Sequence, residues 1–189
     1  SVNYTPKRKM VGYGVDRIDV DLNYPRFFVS YSQGLKGVFD SDFNYSKLQL
    51  YYRQPLLIGG FGRLFSTLEI GKTFGAVPLS LMGVIPGNQS YFIIDNTYNL
   101  LNYYDFVADQ YTSLHLEHNF NGKLFSRIPL LRKLNWREII GVKAVYGSVS
   151  KENIALNASG QSYQAPVDGY YEYSAGIGNI FKVMRIDGA

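Results

Sequence analysis

Alternation of apolar and polar residues with a period of two runs through most of this chain and constrains its fold more than any other feature. It is clearest in residues 102–150, where two alternating stretches flank a turn that begins with Asn121-Gly122. Because successive side chains of a β-strand point to opposite faces, the pattern predicts strands with one apolar and one polar face. Neither stretch contains a continuous apolar run, and both have tyrosines near their ends.

The same alternation recurs from Arg17 to the end of the chain and predicts about eight strands. They cover residues 17–24, 27–34, 47–58, 63–72, 111–120, 140–147, 171–178 and 183–187. Short turns near 24, 60, 122–134 and 180 alternate with longer connections near 40, 73–101 and 150–168. This asymmetry is typical of up-and-down barrels of the outer membrane, which have short periplasmic turns and long outer loops.

The aromatic residues favour a membrane barrel over a soluble sandwich. The chain has 17 Tyr, 12 Phe and one Trp, and many of them fall near strand ends, where membrane proteins carry aromatic belts. We therefore predict an all-β fold, an antiparallel up-and-down transmembrane β-barrel. Residues 1–14 are expected to be a lead-in loop and 15–189 an outer-membrane barrel segment truncated at both ends. The polar face is expected to carry Glu69, Lys72, His115, Glu117, Lys143 and Glu172.

Composition excludes several classes of function. Cysteine is absent, so the chain has neither disulfides nor thiolate metal ligands. The net charge is +4, but the cations are scattered rather than arranged in the aromatic-interleaved basic stripe of a nucleic-acid-binding protein. Nucleic acid is therefore not an expected partner.

The run His115-Leu116-Glu117-His118 invites a metal interpretation. On a strand, however, His115 and Glu117 share one face while His118 points to the other, and the zinc-protease pattern needs two histidines on one face of a helix. No metal site is predicted.

Other candidate motifs also have structural explanations. Asp105, Asp109 and Glu117 show no fixed close spacing of the kind that paired catalytic carboxylates need. Residues 59–62, Gly-Gly-Phe-Gly, lack the third glycine and the following helix of a dinucleotide-binding loop and predict a tight turn. We expect no catalytic residues, no cofactor and no enzyme activity.

The connector of residues 123–134 leaves two alternatives open. Its apolar residues Leu124, Phe125, Ile128, Leu131 and Leu134 recur at near-helical spacing, with basic residues between them. That pattern is typical of a short amphipathic helix lying on a membrane surface. Pro129 equally favours an irregular turn whose apolar residues cover the mouth of the barrel.

Residues 102–111, 115–122 and 127–138, with residues 31–38 and 71–75, resemble an uncharacterised outer-membrane family of Bacteroidota. The resemblance covers most of residues 15–187. It implies a protein in which a carboxypeptidase-regulatory-like β-sandwich precedes a barrel, of which this chain is the C-terminal part, and it carries over no catalytic residues. Gly176-Ile177-Gly178 and Arg185-Ile186-Asp187 are further similar to a pair of strands that a short periplasmic turn joins in the surface-antigen barrels of BamA and TamA. That resemblance implies one further, closing strand after Ala189.

The expected function is that of an outer-membrane β-barrel protein with a structural, assembly or transport-related role. Its expected partners are outer-membrane lipid and other outer-membrane or periplasmic proteins. The alternative is a cell-surface binding module in which the connection 73–101 captures a partner or ligand, because long connections in compact domains are often functional.

Overall fold

The computed structural model describes residues 1–20, 23–38, 42–90, 92–158 and 163–189. The strands are β1 (Val2–Tyr4), β2 (Met10–Val11), β3 (Ile18–Asp19), β4 (Arg26–Gly34), β5 (Tyr45–Leu57), β6 (Arg63–Phe74), β7 (Gly83–Val84), β8 (Val107–Ala108), β9 (Gln110–Asn119), β10 (Arg137–Ser148), β11 (Tyr170–Ile180) and β12 (Met184–Gly188). The α-helices are α1 (Pro129–Arg132) and α2 (Lys151–Leu156). In the described ranges no helix has the length and apolar character needed to cross a membrane.

The main sheet is antiparallel and contains eight strands of the described chain, in the order β1-β4-β5-β6-β9-β10-β11-β12. The pairs β2–β3 and β7–β8 form separate two-stranded sheets. Among the described residues, β1 and β12 do not pair with each other, so the main sheet has two edges. The predicted all-β, antiparallel class is confirmed, whereas the predicted barrel is not, because the described strands form no closed barrel.

Connections between the strands fall into two groups, one at each end of the sheet. Residues 58–62, 120–136 and 181–183 connect strands at one end, called the turn end here, and residues 35–44, 75–109 and 149–169 connect them at the other, called the loop end. These match the two groups that the sequence predicts, except for the short turn expected near 24. Instead, the long connection 5–25 joins β1 to β4 at the turn end. Positions 40 and 41 of the predicted loop near 40 lie outside the described residues.

The N-terminal predictions are wrong in two respects. Residues 1–14, expected to be a lead-in loop, contain β1, which pairs with β4 and forms one edge of the main sheet. The strand expected over residues 17–24 is reduced to β3, which pairs only with β2, across the connection 12–17, while positions 21 and 22 lie outside the described residues. A polar contact stabilises this hairpin, because the Arg8 guanidinium binds the Asp19 carboxylate at 2.6 Å and holds the pKa of that carboxyl below its usual range.

Two connections contain helices that the sequence left undecided or missed. The connector 123–134 forms a 3-10 turn at Phe125–Arg127 and then α1, with extended backbone at Ile128 between them. It is therefore not one continuous amphipathic helix, and Pro129 begins the second turn, where its missing N–H costs nothing. The connection 150–168, expected to be a polar loop, contains α2.

The core lies between the sheet and the connection 75–109, which we call the cover segment. The cover segment and the β9–β10 strands supply most of the buried apolar side chains. These side chains are Val77, Met82, Ile85, Tyr98, Leu101, Val107, Ala108, Tyr111 and Val145. The ring of Tyr111 occupies the space that a Cβ would take at Gly71 and at Gly83. Small residues on the sheet and on the cover segment therefore allow the two layers to approach closely.

Candidate functional site

The two faces of the main sheet differ sharply in character. The inner face, which the cover segment packs against, carries mainly polar and charged side chains. These include Lys47, Gln49, Arg53, Thr67, Glu69, Ser113, His115, Glu117, Lys143, Glu172, Arg185 and Asp187. The alternation predicted from the sequence is thus confirmed for nearly all the expected polar positions. Lys72 is the exception, because it lies on the opposite face, with its ammonium 5.0 Å from the ring centre of Phe74.

The outer face is apolar and exposed. Many of its side chains are between 36% and 70% accessible. They include Phe27, Val29, Leu48, Leu50, Ile70, Leu114, Ile140, Val142, Tyr171, Tyr173 and Ile186. An exposed apolar surface of this extent is unusual for a monomeric soluble protein.

Tyr98 fixes the cover segment to the centre of the inner face. Its side chain is fully buried, and its hydroxyl donates a hydrogen bond of 2.7 Å to the backbone oxygen of Ala144 and lies 3.2 Å from Ser113 Oγ. Its ring packs 4.8 Å from His115 and 5.8 Å from Tyr170. Burial raises the pKa of the Tyr98 phenol, so it remains a hydrogen-bond donor.

A buried carboxylate of the sheet binds the same segment. Glu172 is 2% exposed and accepts hydrogen bonds of 2.8 Å from the backbone N–H groups of Asn99 and Leu100. Its cross-strand neighbour Lys143 lies 3.7 Å away and donates to the backbone oxygen of Thr97 at 2.7 Å. The charged pair that the sequence places on the polar face is therefore used to hold the cover segment.

A second charged group links the edge strand β12 to the middle of the sheet. Arg185 Nη2 lies 2.7 Å from Glu117 Oε2 on β9 and 2.6 Å from Asp187 Oδ2 on its own strand. The strands in between leave room for this contact, because a Cβ at Gly176 would overlap the Asp187 carboxylate and one at Gly141 would overlap Ser174 Oγ. Glycines on the inner face thus permit an ion pair across two intervening strands.

These groups border a cavity of about 270 Å³ between the sheet and the cover segment. Its polar lining includes Arg53, Asp95, His115, Glu117, Lys143 and Arg185. Each of the carboxylates is already paired with a cation, and Lys143 is bound by the cover segment. The arrangement therefore holds the layers together.

The histidines lie as the alternation predicts. His115 is on the inner face with its Nε2 3.0 Å from Ser113 Oγ, and His118 is on the outer face with its Nε2 2.9 Å from the backbone oxygen of Phe61. In the part of the chain that the structure describes, no group of three or more His, Cys, Asp or Glu residues could hold a metal ion.

The three acids considered from the sequence are not brought together. Asp105 accepts hydrogen bonds from Asn102, and Glu117 binds Arg185. Asp109 is buried and accepts from the Ser150 backbone and from Asn153 Nδ2 at 2.7 and 2.8 Å. Each carboxylate therefore has a structural role.

Residues 59–62 form the tight turn that the sequence predicts, closed by a hydrogen bond from Ile58 N to Gly62 O.

Sequence reasoning missed two of the residues that build this region. No local sequence pattern marks Tyr98 as a buried residue, because its partners lie in strands far along the chain. Asn153 lies on α2, where it accepts from Val77 N and donates to Asp109, both at 2.8 Å. The helix-forming residues Lys151, Glu152, Ala155 and Leu156 could have predicted α2.

Fold and site together define an all-β protein whose antiparallel sheet has a polar face covered by its own chain and an apolar face left exposed. The C-terminal domain of a family of unknown function, DUF5686, matches residues 1–177, and the chain belongs to this family. Membership of an uncharacterised family, which the resemblance implied, is thereby shown. Comparison with curated proteins finds no match, and neither does comparison with solved structures.

Proposed function

We propose that this chain is part of an outer-membrane β-barrel protein with a structural, assembly or transport-related role and without catalysis. The observation that carries the proposal is the reversed polarity of the sheet, with charged side chains on the covered face and apolar ones on the exposed face. A soluble sheet buries its apolar face against the core. A membrane barrel alternates apolar residues toward lipid with polar residues toward the lumen, which is the pattern seen here.

Strand length and aromatic placement support the same proposal. The strands β5, β6, β9, β10 and β11 have 13, 12, 10, 12 and 11 residues, and a tilted strand needs about 9–11 residues to cross the hydrocarbon core. Toward the loop end the outer face carries Tyr31, Tyr146 and Tyr171, each more than half exposed. Tyrosine at this level suits the membrane interface.

The proposal requires the backbone groups at both edges of the sheet to be paired. In hydrocarbon every backbone N–H and C=O must be paired, so β1 and β12 would each need a further strand beside them. We therefore propose that the sheet is completed into a barrel by strands beyond the eight described, as the resemblance to BamA and TamA implies. A Bacteroidota origin and an upstream regulatory-like β-sandwich belong to the same proposal.

Fractionation of cells expressing the full-length protein tests the membrane location. We expect the protein in the outer-membrane fraction, and we expect the unheated and boiled samples to migrate differently on a gel, because folded barrels resist unfolding by detergent. A native protein that remains soluble and shows no heat-dependent shift would contradict the proposal.

The alternative, capture of a partner at the cell surface, is favoured by one observation. The tip of the cover segment exposes Phe92, Ile93 and Ile94 at 81%, 44% and 48%, whereas its flanks carry the core residues Ile85 and Tyr98. Deletion of all of 73–101 would therefore remove the core along with the tip. The sharper test replaces Phe92 and Ile94 by serine. Loss of a surface partner in a pull-down, with folding retained, would support capture, and unchanged partners would contradict it.

A further inference from the structure

The turn end of the sheet carries a basic cavity that the cover segment does not reach. Its volume is about 860 Å³, and its lining includes Arg132, Lys133, Arg137 and Lys182 together with Trp136 and Phe181. No acidic residue of the described chain lines it. None of the four cations forms an ion pair with a described carboxylate. Cations of an ordinary solvated surface are interspersed with acids, so this unneutralised group indicates an anionic ligand.

The apolar residues beside these cations are exposed as well. Leu124, Ile128, Leu130 and Leu134 of the connector are 45%, 48%, 77% and 45% accessible, and Phe181 is 84% accessible. Exposed apolar side chains alternating with Lys and Arg are typical of segments that lie at a membrane surface. Trp136 within the cavity adds an aromatic ring of the kind found at headgroup level.

An apolar groove of about 480 Å³ on the outer face adjoins the basic cavity. Ile140, Ala175, Ile177 and Ile186 form much of its lining, and Phe125 lines both the groove and the cavity. The groove and the cavity therefore adjoin at Phe125. A ligand that fills both must have an anionic group joined to a hydrocarbon part.

Glu138 determines which way such a ligand can lie. Its side chain is 7% exposed, lines the groove and accepts a hydrogen bond from Phe125 N with one oxygen. Its other oxygen has no hydrogen-bond partner in the described chain. A carboxylate at this position repels a phosphate from the groove, so the anionic group belongs in the basic cavity and the hydrocarbon in the groove.

We propose that this pair of cavities binds one anionic glycerophospholipid, with its phosphate among Arg132, Lys133, Arg137 and Lys182 and its acyl chains along the outer face beyond Phe125. The inference rests on the proposed membrane location and adds a lipid class and a position to it. Lipid would thereby fix the depth at which the turn end of the sheet sits in the bilayer.

Native mass spectrometry of the full-length protein in detergent tests this proposal. The probes are phosphatidylglycerol, phosphatidylcholine and diacylglycerol with the same acyl chains. We expect tightest retention of phosphatidylglycerol and weakest retention of diacylglycerol, which has no phosphate. The double variant Arg132→Gln, Lys133→Gln should lower the apparent affinity for phosphatidylglycerol about tenfold, since each cation near an anionic headgroup contributes appreciably.

The matched control removes two charges at the opposite end of the sheet. Lys36 and Lys151 are exposed at the loop end, and Lys36→Gln, Lys151→Gln should leave retention unchanged. Equal loss in both double variants, or undiminished retention in the cavity variant, would overturn the proposal. So would full displacement of the lipid by inorganic phosphate alone, because the groove would then contribute nothing.

Two further readouts separate this inference from the proposed function. The heat-dependent gel shift of each variant shows whether it still folds, and Arg132 and Lys133 are exposed, so folding should be retained. A protein that fractionates with the outer membrane but shows no lipid preference contradicts the lipid site alone. A protein that is soluble contradicts the proposed function.

Discussion

The hydroxyl of Tyr98 donates a 2.7 Å hydrogen bond to the backbone oxygen of Ala144 on β10, 46 residues further along the chain. This contact fixes the cover segment at the middle of the polar face, where its ring is fully buried. A long connection whose packing the sequence did not predict is thus an integral layer of the structure. Its anchoring side chains, rather than its tip, determine the stability of the two-layer arrangement.

Removal of the Tyr98 hydroxyl tests this anchoring. Tyr98→Phe should lower the free energy of unfolding by about 1 kcal/mol, because it removes the hydrogen bond to Ala144 while keeping the ring contacts. Urea unfolding of the protein in detergent, followed by tyrosine and tryptophan fluorescence, measures the change. Tyr13 is 94% exposed, and Tyr13→Phe should have no effect. Equal effects of the two variants would show that the Tyr98 contact does not anchor the segment.

Coupling between Arg185 and Glu117 tests whether their ion pair helps to hold the edge strand β12 against the sheet. Their side chains are 28% and 37% exposed, so solvent screens the pair in part. Two hydrogen bonds nevertheless join them, at 3.2 and 2.7 Å. A double-mutant cycle with Arg185→Gln and Glu117→Gln should give a coupling energy of about 1 kcal/mol.

The control cycle uses Arg53 and Asp95, which also lie at the cavity under the cover segment. Their closest atoms are 3.7 Å apart and Asp95 is 77% exposed, so Arg53→Gln with Asp95→Asn should show coupling near zero. A coupling for Arg185 and Glu117 no larger than that of the control would mean that β12 is held by its backbone pairing with β11 alone.

The sequence predicted the long strands and their faces because one rule, the period of two, governs them locally. The strands expected at 47–58 and 111–120 are found at Tyr45–Leu57 and Gln110–Asn119, and His115 and His118 lie on opposite faces. The one misplaced residue is Lys72, and its expected placement on the polar face did not follow this rule. It is three positions from Glu69, and residues separated by an odd number on a regular strand point to opposite faces.

What the sequence could not predict depends on contacts between distant segments. The strand Val2–Tyr4 is only three residues long and exists because its backbone pairs with β4. The burial of Tyr98 requires Ala144 and Glu172 to be in place already. Asn153 and Val77 are 76 residues apart. No local pattern encodes such pairings, and for this reason the sequence did not predict that the cover segment packs against the sheet.

Asn153 gives a prediction for the contact between α2 and the cover segment. Asn153→Asp places a second carboxylate beside Asp109, in a position that is 1% exposed, and removes the donor to Asp109 Oδ2. We expect a loss of about 2 kcal/mol or more and faster proteolysis within residues 75–109. Glu152 lies on the same helix and is exposed, so the Glu152→Gln variant should be cleaved at the original rate. Unchanged cleavage of Asn153→Asp would show that Asn153 does not hold α2 against the cover segment.

The most decisive prediction concerns the outer face. Val142 lies near the middle of β10 and is 37% exposed. At the surface of a soluble sheet, Val142→Arg would change the free energy of unfolding by no more than about 0.5 kcal/mol. Facing lipid near the bilayer centre, the same change should cost about 2–4 kcal/mol. Refolding of the full-length protein from urea into phospholipid vesicles measures the difference.

Tyr146 supplies the matched control on the same strand and the same face, nearer the loop end. Because the cost of a charge on the lipid face falls toward the interface, Tyr146→Arg should cost only about 0–1 kcal/mol. A dependence on depth of this kind has no counterpart on a water-exposed sheet, where Val142→Arg and Tyr146→Arg would both be tolerated. Equal, small effects at the two positions would contradict the lipid-facing assignment of the outer face, and with it the proposed membrane barrel.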